Sequence, residues 1–351
     1  MNILIDILHP AHVHFFRGFI SAAKARGHNI VITTRNKEIT NALLDRFGIS
    51  YIHVSNPATG KIGQMWELLT RWIKMAWIIR RKKIDIAMSI SGLCTGFPAW
   101  ICNVPNIAFS DTEDATLSNK LSIPFCTYFV TPEFFLHDVG RTHLRYKGLH
   151  ETAYLKKFNF EAAKEQLKAM NLPERYVIMR LVANDALHDE GIKGIQASVL
   201  ENLIEELKRF GQVFITSQTP LPEKLAQYRL QVPIEQVHAV LAGAMLFVGD
   251  SPTMSVESSV LGTPAFLLTS RWNRLGNMIG LEKQFSLLRN FAEFEDLVKA
   301  IREIKDPIQL KQEWSERAAK YREYVEDVEL LIDRLMTQAL ASKGITSEQP
   351  A

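Results

Sequence analysis

Val248-Gly249-Asp250-Ser251-Pro252-Thr253-Met254-Ser255-Val256-Glu257, followed by Leu261-Gly262-Thr263-Pro264, is the stretch on which the reading of this chain turns. The apolar run 245–249 reads as a buried strand ending in Gly and small hydroxyl residues, with a helix over 253–261 and a strand over 264–268. The unpaired N–H groups of such a helix start, with the positive end of its dipole, form an anion site at the carboxyl edge of a parallel sheet. One turn inside, Glu257 could accept hydrogen bonds from two neighbouring ribose hydroxyls. The same residues also fit an ordinary role, in which Ser251 or Thr253 caps the helix and Glu257 complements its dipole.

Outward from this motif the alternation continues. Strands are expected at 176–181 and 213–217, and helices at 195–209 and 235–242. In the front half, Ile3-Leu4-Ile5 is a short apolar run, His9-Pro10 breaks it, and Phe15 to Arg26 has helical spacing closed by Gly27. Strands at 30–32, 51–54, 84–90 and 105–109 then alternate with helices at 39–48, 64–83 and 94–102. Strands alternating with crossover helices predict the α/β class, with two Rossmann-like, doubly wound parallel-sheet domains. The length of 351 residues agrees, since one core usually serves about 150 residues. The expected division is 1–157 and 158–342, with a helix bridging the halves within 156–173 and a disordered tail over 343–351. Pro307 to Ser342 reads as one long amphipathic pattern of the second domain.

Net charge is +3, unevenly placed: residues 1–157 hold 19 Lys/Arg against 11 Asp/Glu, and residues 158–351 hold 22 against 27. A basic first domain favours an anionic partner, phosphate or a membrane surface, although a solvated basic face fits as well. Nucleic acid is disfavoured, because the cations are not interleaved with stacking aromatics and no recognition motif accompanies them. Cys94, Cys102 and Cys126 are too few and too irregular for a zinc site or a disulfide framework. Asp6 interrupts the opening apolar run before a signal peptide's core could form, so the expectation is a reduced, cytoplasmic protein.

The run GDSPTMSVESSVLGTPAF (249–266) is similar to the sugar-nucleotide motif in the second domain of GT-B glycosyltransferases and UDP-N-acetylglucosamine 2-epimerases. That resemblance implies Ser251, Thr253, Met254 and Ser255 near a diphosphate and Glu257 on the uridine ribose, with Asp250 in the same nucleotide-sugar site. A closer resemblance covers most of residues 1–270, to a GT-B-like family of unknown function found in archaea and bacteria. Pro10-Ala11-His12-Val13-His14-Phe15-Phe16, Asp111-Thr112-Glu113, Asn119, Pro124, Thr131-Pro132-Glu133, Gly148 and Tyr154-Leu155 match its pattern in order. It implies a GT-B architecture, two domains facing a cleft, and leaves the reaction open.

His12 and His14 fall between the first strand and first helix, where related GT-B enzymes face the cleft, and a His with a pKa of ~6.5 suits a general base. They could equally cap the helix or pack beside Phe15 and Phe16; His9 reads as structural. Asp111, Glu113 and Asp114 follow a strand end and could supply a base or an orienter, or a cap alone. Arg180, ending the second domain's first strand, could pair with a diphosphate or form a surface salt bridge; Asn184, Asp185, His188 and Asp189 are weaker candidates. The epimerases carry acids in two stretches that here read Ile90-Ser91-Gly92-Leu93-Cys94 and Thr116-Leu117-Ser118-Asn119-Lys120, which demotes epimerisation.

Residues 65–83 hold three of the six Trp and end in four consecutive cations, a pattern for peripheral contact with an anionic membrane or for a core-facing crossover helix. The expectation is a transferase moving sugar from a UDP-sugar to a lipid-linked or cell-surface glycan, as in surface polysaccharide biosynthesis, with no cofactor or metal required. Its rivals are a UDP-N-acetylhexosamine 2-epimerase and a non-catalytic nucleotide-sugar-binding subunit.

Overall fold

In the computed structural model, which describes residues 1–36, 38–182, 197–217 and 220–343, the apolar runs of the front half line up as one parallel sheet. Its strands are β1 (Asn2–Ile7), β2 (Asn29–Arg35), β3 (Ile52–Ser55), β4 (Ile86–Ile90), β5 (Asn106–Phe109), β6 (Tyr128–Pro132) and β7 (His143–Tyr146), in the order β3-β2-β1-β4-β5-β6-β7. The connecting helices are α1 (Pro10–Ala25), α2 (Glu38–Arg46), α3 (Gly60–Arg81), α4 (Gly96–Ile101), α5 (Thr116–Ser122) and α6 (Thr152–Leu155). Ile3, Ile5 and Ile7 of β1 are buried against Phe16 and Phe19 of α1, while Leu4 turns to the other face and meets Met75 and Ile79 of α3. That two-sided burial is why β1 reads as a continuous apolar run.

The back half holds α7 (Phe160–Ala169), β8 (Tyr176–Leu181), α8 (Ala197–Leu207), β9 (Gln212–Ser217), α9 (Val237–Gly243), β10 (Leu246–Gly249), α10 (Pro252–Val260), β11 (Ala265–Leu268), α11 (Gly276–Lys283), β12 (Arg289–Phe291), α12 (Phe294–Arg302), α13 (Pro307–Tyr324) and α14 (Val328–Ala341). Its parallel strand order is β12-β11-β10-β8-β9. Both sheets are doubly wound, as expected: the order reverses between β1 and β4 in one and between β8 and β10 in the other.

Three expectations are corrected. The first compact unit runs from Met1 to Tyr154 and takes up the chain again from Val325, so the last helix belongs to it and not to the second domain. The long pattern from Pro307 is two helices, because Asp327 accepts from the Glu329 N–H and starts α14 afresh. Leu331, Ile332 and Leu335 of α14 then fill the core between α1 and the first sheet. Also, α1 begins at Pro10 and not near Phe15, since Pro is welcome at the first helical position and the His9 ring accepts from the Ala11 N–H at 3.2 Å. His12 and His14 are therefore helical residues. Residues 344–351 of the expected tail lie outside the described residues.

Candidate functional site

The reversal between β8 and β10 puts the quoted motif at the carboxyl edge of the second sheet. Gly249 is required by close approach: a Cβ there would lie 2.5 Å from the Arg180 carbonyl oxygen of the paired strand. The Asp250 carboxylate accepts from the Val182 N–H at 2.8 Å and ties the end of β8 to this turn. Burial pushes that carboxyl upward, opposed by the Val182 bond and by Arg180. Ser251 caps α10, its hydroxyl accepting from the Met254 N–H at 3.4 Å. The buried Ser255 hydroxyl donates to the Ser251 carbonyl at 2.9 Å, so its oxygen is committed to the helix.

Arg180 is half-buried beside these groups. Burial pushes its guanidinium pKa down, with Asp250 and Glu257 pulling the other way, and its buried Nε finds no hydrogen-bond partner among the described residues. Glu257 is buried on α10 and meets His238 of α9, Oε1 to Nε2 at 3.1 Å. His238 escaped the sequence reading; an isolated His in an apolar helix carries no local signal of its partner. Asn184, Asp185, His188 and Asp189 lie outside the described residues.

In the first domain, Asp111 follows β5 and its carboxylate reaches His150 Nδ1 at 3.2 Å and accepts from the Thr112 hydroxyl at 3.0 Å. Burial raises the Asp111 pKa, but the His150 ring outweighs this through charge and hydrogen bond, and the result is a carboxyl held down at about 2. His12 is close enough to add to that pull, while its own Nδ1 accepts from the Leu8 N–H at 3.3 Å. His150 is buried with the edge of the Phe15 ring 4.8 Å away, centroid to centroid, and its Nε2 has no hydrogen-bond partner among the described residues.

An imidazole that gives its Nδ1 proton to a carboxylate presents a lone pair at Nε2, the form in which a histidine takes up a proton. His150 follows Gly148, whose φ of +137° and missing Cβ are both needed: a Cβ there would stand 2.8 Å from the Thr152 hydroxyl. Reading β7 as a strand would have placed Gly148 to His150 at the sheet edge and so exposed this residue.

Two other expected residues go elsewhere. His14 is buried between the Tyr154 and Phe47 rings, 5.2 and 6.0 Å away. Glu113 is buried and accepts from the Leu136 N–H at 3.2 Å, which makes it part of the loop after β6. The two stretches that lack the epimerase acids touch each other, Ser91 Oγ to Ser118 Oγ at 2.6 Å.

A family model described as "Protein of unknown function (DUF354)" matches residues 1–320. The uncharacterized protein MJ0665 of Methanocaldococcus jannaschii is 23% identical over 276 residues, 75% of this chain and 80% of its own. Among solved structures, the UDP-GlcNAc 2-epimerase from Neisseria meningitidis bound to UDP-GlcNAc aligns at a TM-score of 0.63 with 11% identity, covering 97% of this chain and 100% of that one. The glycosyltransferase VinC in complex with dTDP aligns at 0.62 with 10% identity, again over 97% and 100%. At such identities the likeness is one of fold, the two-domain α/β class shared by GT-B glycosyltransferases and these epimerases.

Proposed function

The chain belongs to the family of proteins of unknown function called DUF354, and from that premise we propose that it is a glycosyltransferase that takes its sugar from a UDP-sugar. The observation that carries the reading is the cationic, partner-seeking Arg180 beside the capped start of α10 at the β8/β10 reversal, a site suited to a diphosphate. There the Thr253 and Met254 end of α10 faces the diphosphate and Glu257, steadied by His238, accepts from the ribose. Helix dipole and guanidinium together stabilise the departing UDP.

In the first domain the Asp111–His150 pair is the general base on the acceptor hydroxyl, with His12 beside it; the His14 role weakens because its ring is packed among aromatics. The acceptor is a glycan or a lipid-linked molecule, and peripheral contact of residues 65–83 with an anionic membrane would bring the enzyme to a lipid-linked one. Neighbours among UDP-GlcNAc 2-epimerases make epimerisation the second reading. It is disfavoured here because the two acid-lacking stretches are closed on each other by the serine bond.

Incubating the protein with UDP-sugars, with and without a membrane extract, and reading products by mass spectrometry tests the proposal. UDP release that depends on the extract supports transfer. An isomeric UDP-sugar without extract would instead identify an epimerase, and binding without turnover a nucleotide-sugar-binding subunit.

A further inference from the structure

The α3 helix is amphipathic twice over. Its inner stripe, Arg71, Met75, Ile78 and Ile79, is buried against the first sheet. The position of Arg71 in that stripe is fixed by a buried ion pair with Asp6 of β1 at 2.5 Å, to which the Thr33 hydroxyl also donates, and by a bond to Ser55 Oγ. A buried charge stripped of its partner is costly, so this pair locks the roll of the helix about its axis. The opposite stripe is thereby forced outward: Ile62 is 81% exposed, Trp66 68%, Ile73 72% and Trp77 57%. From Ile62 to Trp77 this line is about 22 Å long at the helical rise.

The apolar surface does not end with α3. Trp72, the third Trp of the helix, turns aside, donates to the Leu93 carbonyl and lies 4.8 Å from the Phe97 ring of α4. Phe97 continues to Phe125 at 5.2 Å, and Phe125 to the exposed Trp100 at 5.5 Å. The short turn that carries Phe125 follows directly on α5, where Leu117 and Leu121 are exposed. Large exposed apolar patches of this kind mark binding surfaces.

Charge selects the occupant. Between Gly60 and Lys83 the one acid is Glu67, and it is tied inward to Arg35, Ser55 and the Ala58 N–H. Lys61, Arg80, Arg81, Lys82 and Lys83 are exposed around the stripe. A second copy of the chain packed α3 on α3 across a two-fold axis would bring these cations against their own kind. Trp and aliphatic side chains inside a cationic rim match the interface of an anionic phospholipid layer, where indoles sit at head-group depth.

We infer that α3, α4 and α5 present one preformed, rigid surface that docks the first domain on an anionic phospholipid bilayer. No helix among the described residues is long and apolar enough to cross the membrane, so the docking is on its surface. The surface stands without the transferase reading; only its consequence, that the acceptor is lipid-linked, rests on that reading.

The test is cosedimentation of the full chain with phosphatidylcholine vesicles that contain or lack phosphatidylglycerol. Binding to the anionic vesicles alone is expected, weakening with salt. Each cation near the surface is worth about fivefold in partitioning, so Arg80→Gln, Arg81→Gln, Lys82→Gln and Lys83→Gln together should weaken it on the order of 100-fold or more. The exposed pair Ile73→Ser with Trp77→Ser should lose binding while circular dichroism melting stays as in the parent. Equal binding to both vesicle types, binding to neither, or full binding by the serine pair overturns the inference. So does dimerisation in sedimentation velocity that the serine pair abolishes. UDP binding is measured on the same proteins: its absence in the parent would sink the transferase proposal and leave the docking result intact.

Discussion

Replacing Asp111 by Asn keeps the shape of the side chain and removes the charge that His150 holds. The carboxyl is brought from an ordinary 3.8 to about 2 in the folded chain. With about 1.4 kcal/mol for each pH unit, the interactions of the ionised form are worth about 2 kcal/mol to folding at neutral pH. The side chain is 27% exposed, so solvent screening takes only part of this. Because the folded pKa lies below the unfolded one, the stabilisation is complete well above 3.8 and is lost as pH falls through that value towards 2.

Urea unfolding from pH 7 to pH 2.5, followed by Trp fluorescence, should therefore show two curves that approach each other. Asp111→Asn is about 2 kcal/mol less stable above pH 5, and the gap closes as the parent carboxylate is protonated. With His150→Gln already in place, the same substitution should cost much less, since paired residues are not additive. A gap of constant size at every pH, or an equal cost in the His150→Gln background, would show that the pair is not what holds the carboxyl down.

Glu257→Ala should weaken UDP binding by about 1–3 kcal/mol in calorimetry if a buried hydrogen bond to the ribose is lost; an unchanged affinity removes the ribose role. His150→Ala should lower transferase turnover by roughly 10²–10⁴ while leaving UDP binding intact, and a larger loss in His14→Ala would return the base to His14. Lys311 of α13, half-buried while donating to the Ala242 carbonyl and the Thr263 hydroxyl, has its amine pushed down to about 7 by desolvation. The folded chain then binds fewer protons than the unfolded one between that value and 10.5, so stability should rise across this range by up to about 4 kcal/mol. Lys311→Met should flatten the rise, and an unaltered slope contradicts the assignment.

The alternation of strand and helix was legible because its signals are local: apolar runs closed by Gly27, Gly48 and Gly249. Three strands were missed: β6, Tyr128–Pro132, is an apolar run that was passed over, whereas β7 and β12 have weak runs. β7 is an edge strand with His143 and Arg145 in its four residues, and β12 has only three residues. Losing β7 cost the site its histidine, since His150 becomes a sheet-edge residue only once that strand is drawn. The destination of α14 was beyond any local pattern. An amphipathic helix shows that it has an apolar face, and nothing in its own residues says which of two cores will bury it.

Helix phase decided the rest. The Trp-rich stretch offered two readings, a core-facing crossover and a membrane-surface helix, and the structure shows one face buried against the first sheet and the opposite face exposed. Arg71 lies on the buried side because Asp6, inside β1, needs a cation, and so it anchors the helix. Both domains use a comparable device at the reversal of strand order or near it. Asp250 fastens one edge loop to another in the second sheet, and Asp111 fastens the His150 loop in the first. In each case an acid singled out from the sequence holds a neighbouring loop, and Arg180 and His150 nearby each have a buried nitrogen without a hydrogen-bond partner among the described residues. Arg180 Nε and His150 Nε2 are two of several buried polar atoms without a hydrogen-bond partner among the described residues, and both belong to residues at the carboxyl edges where doubly wound sheets bind ligands.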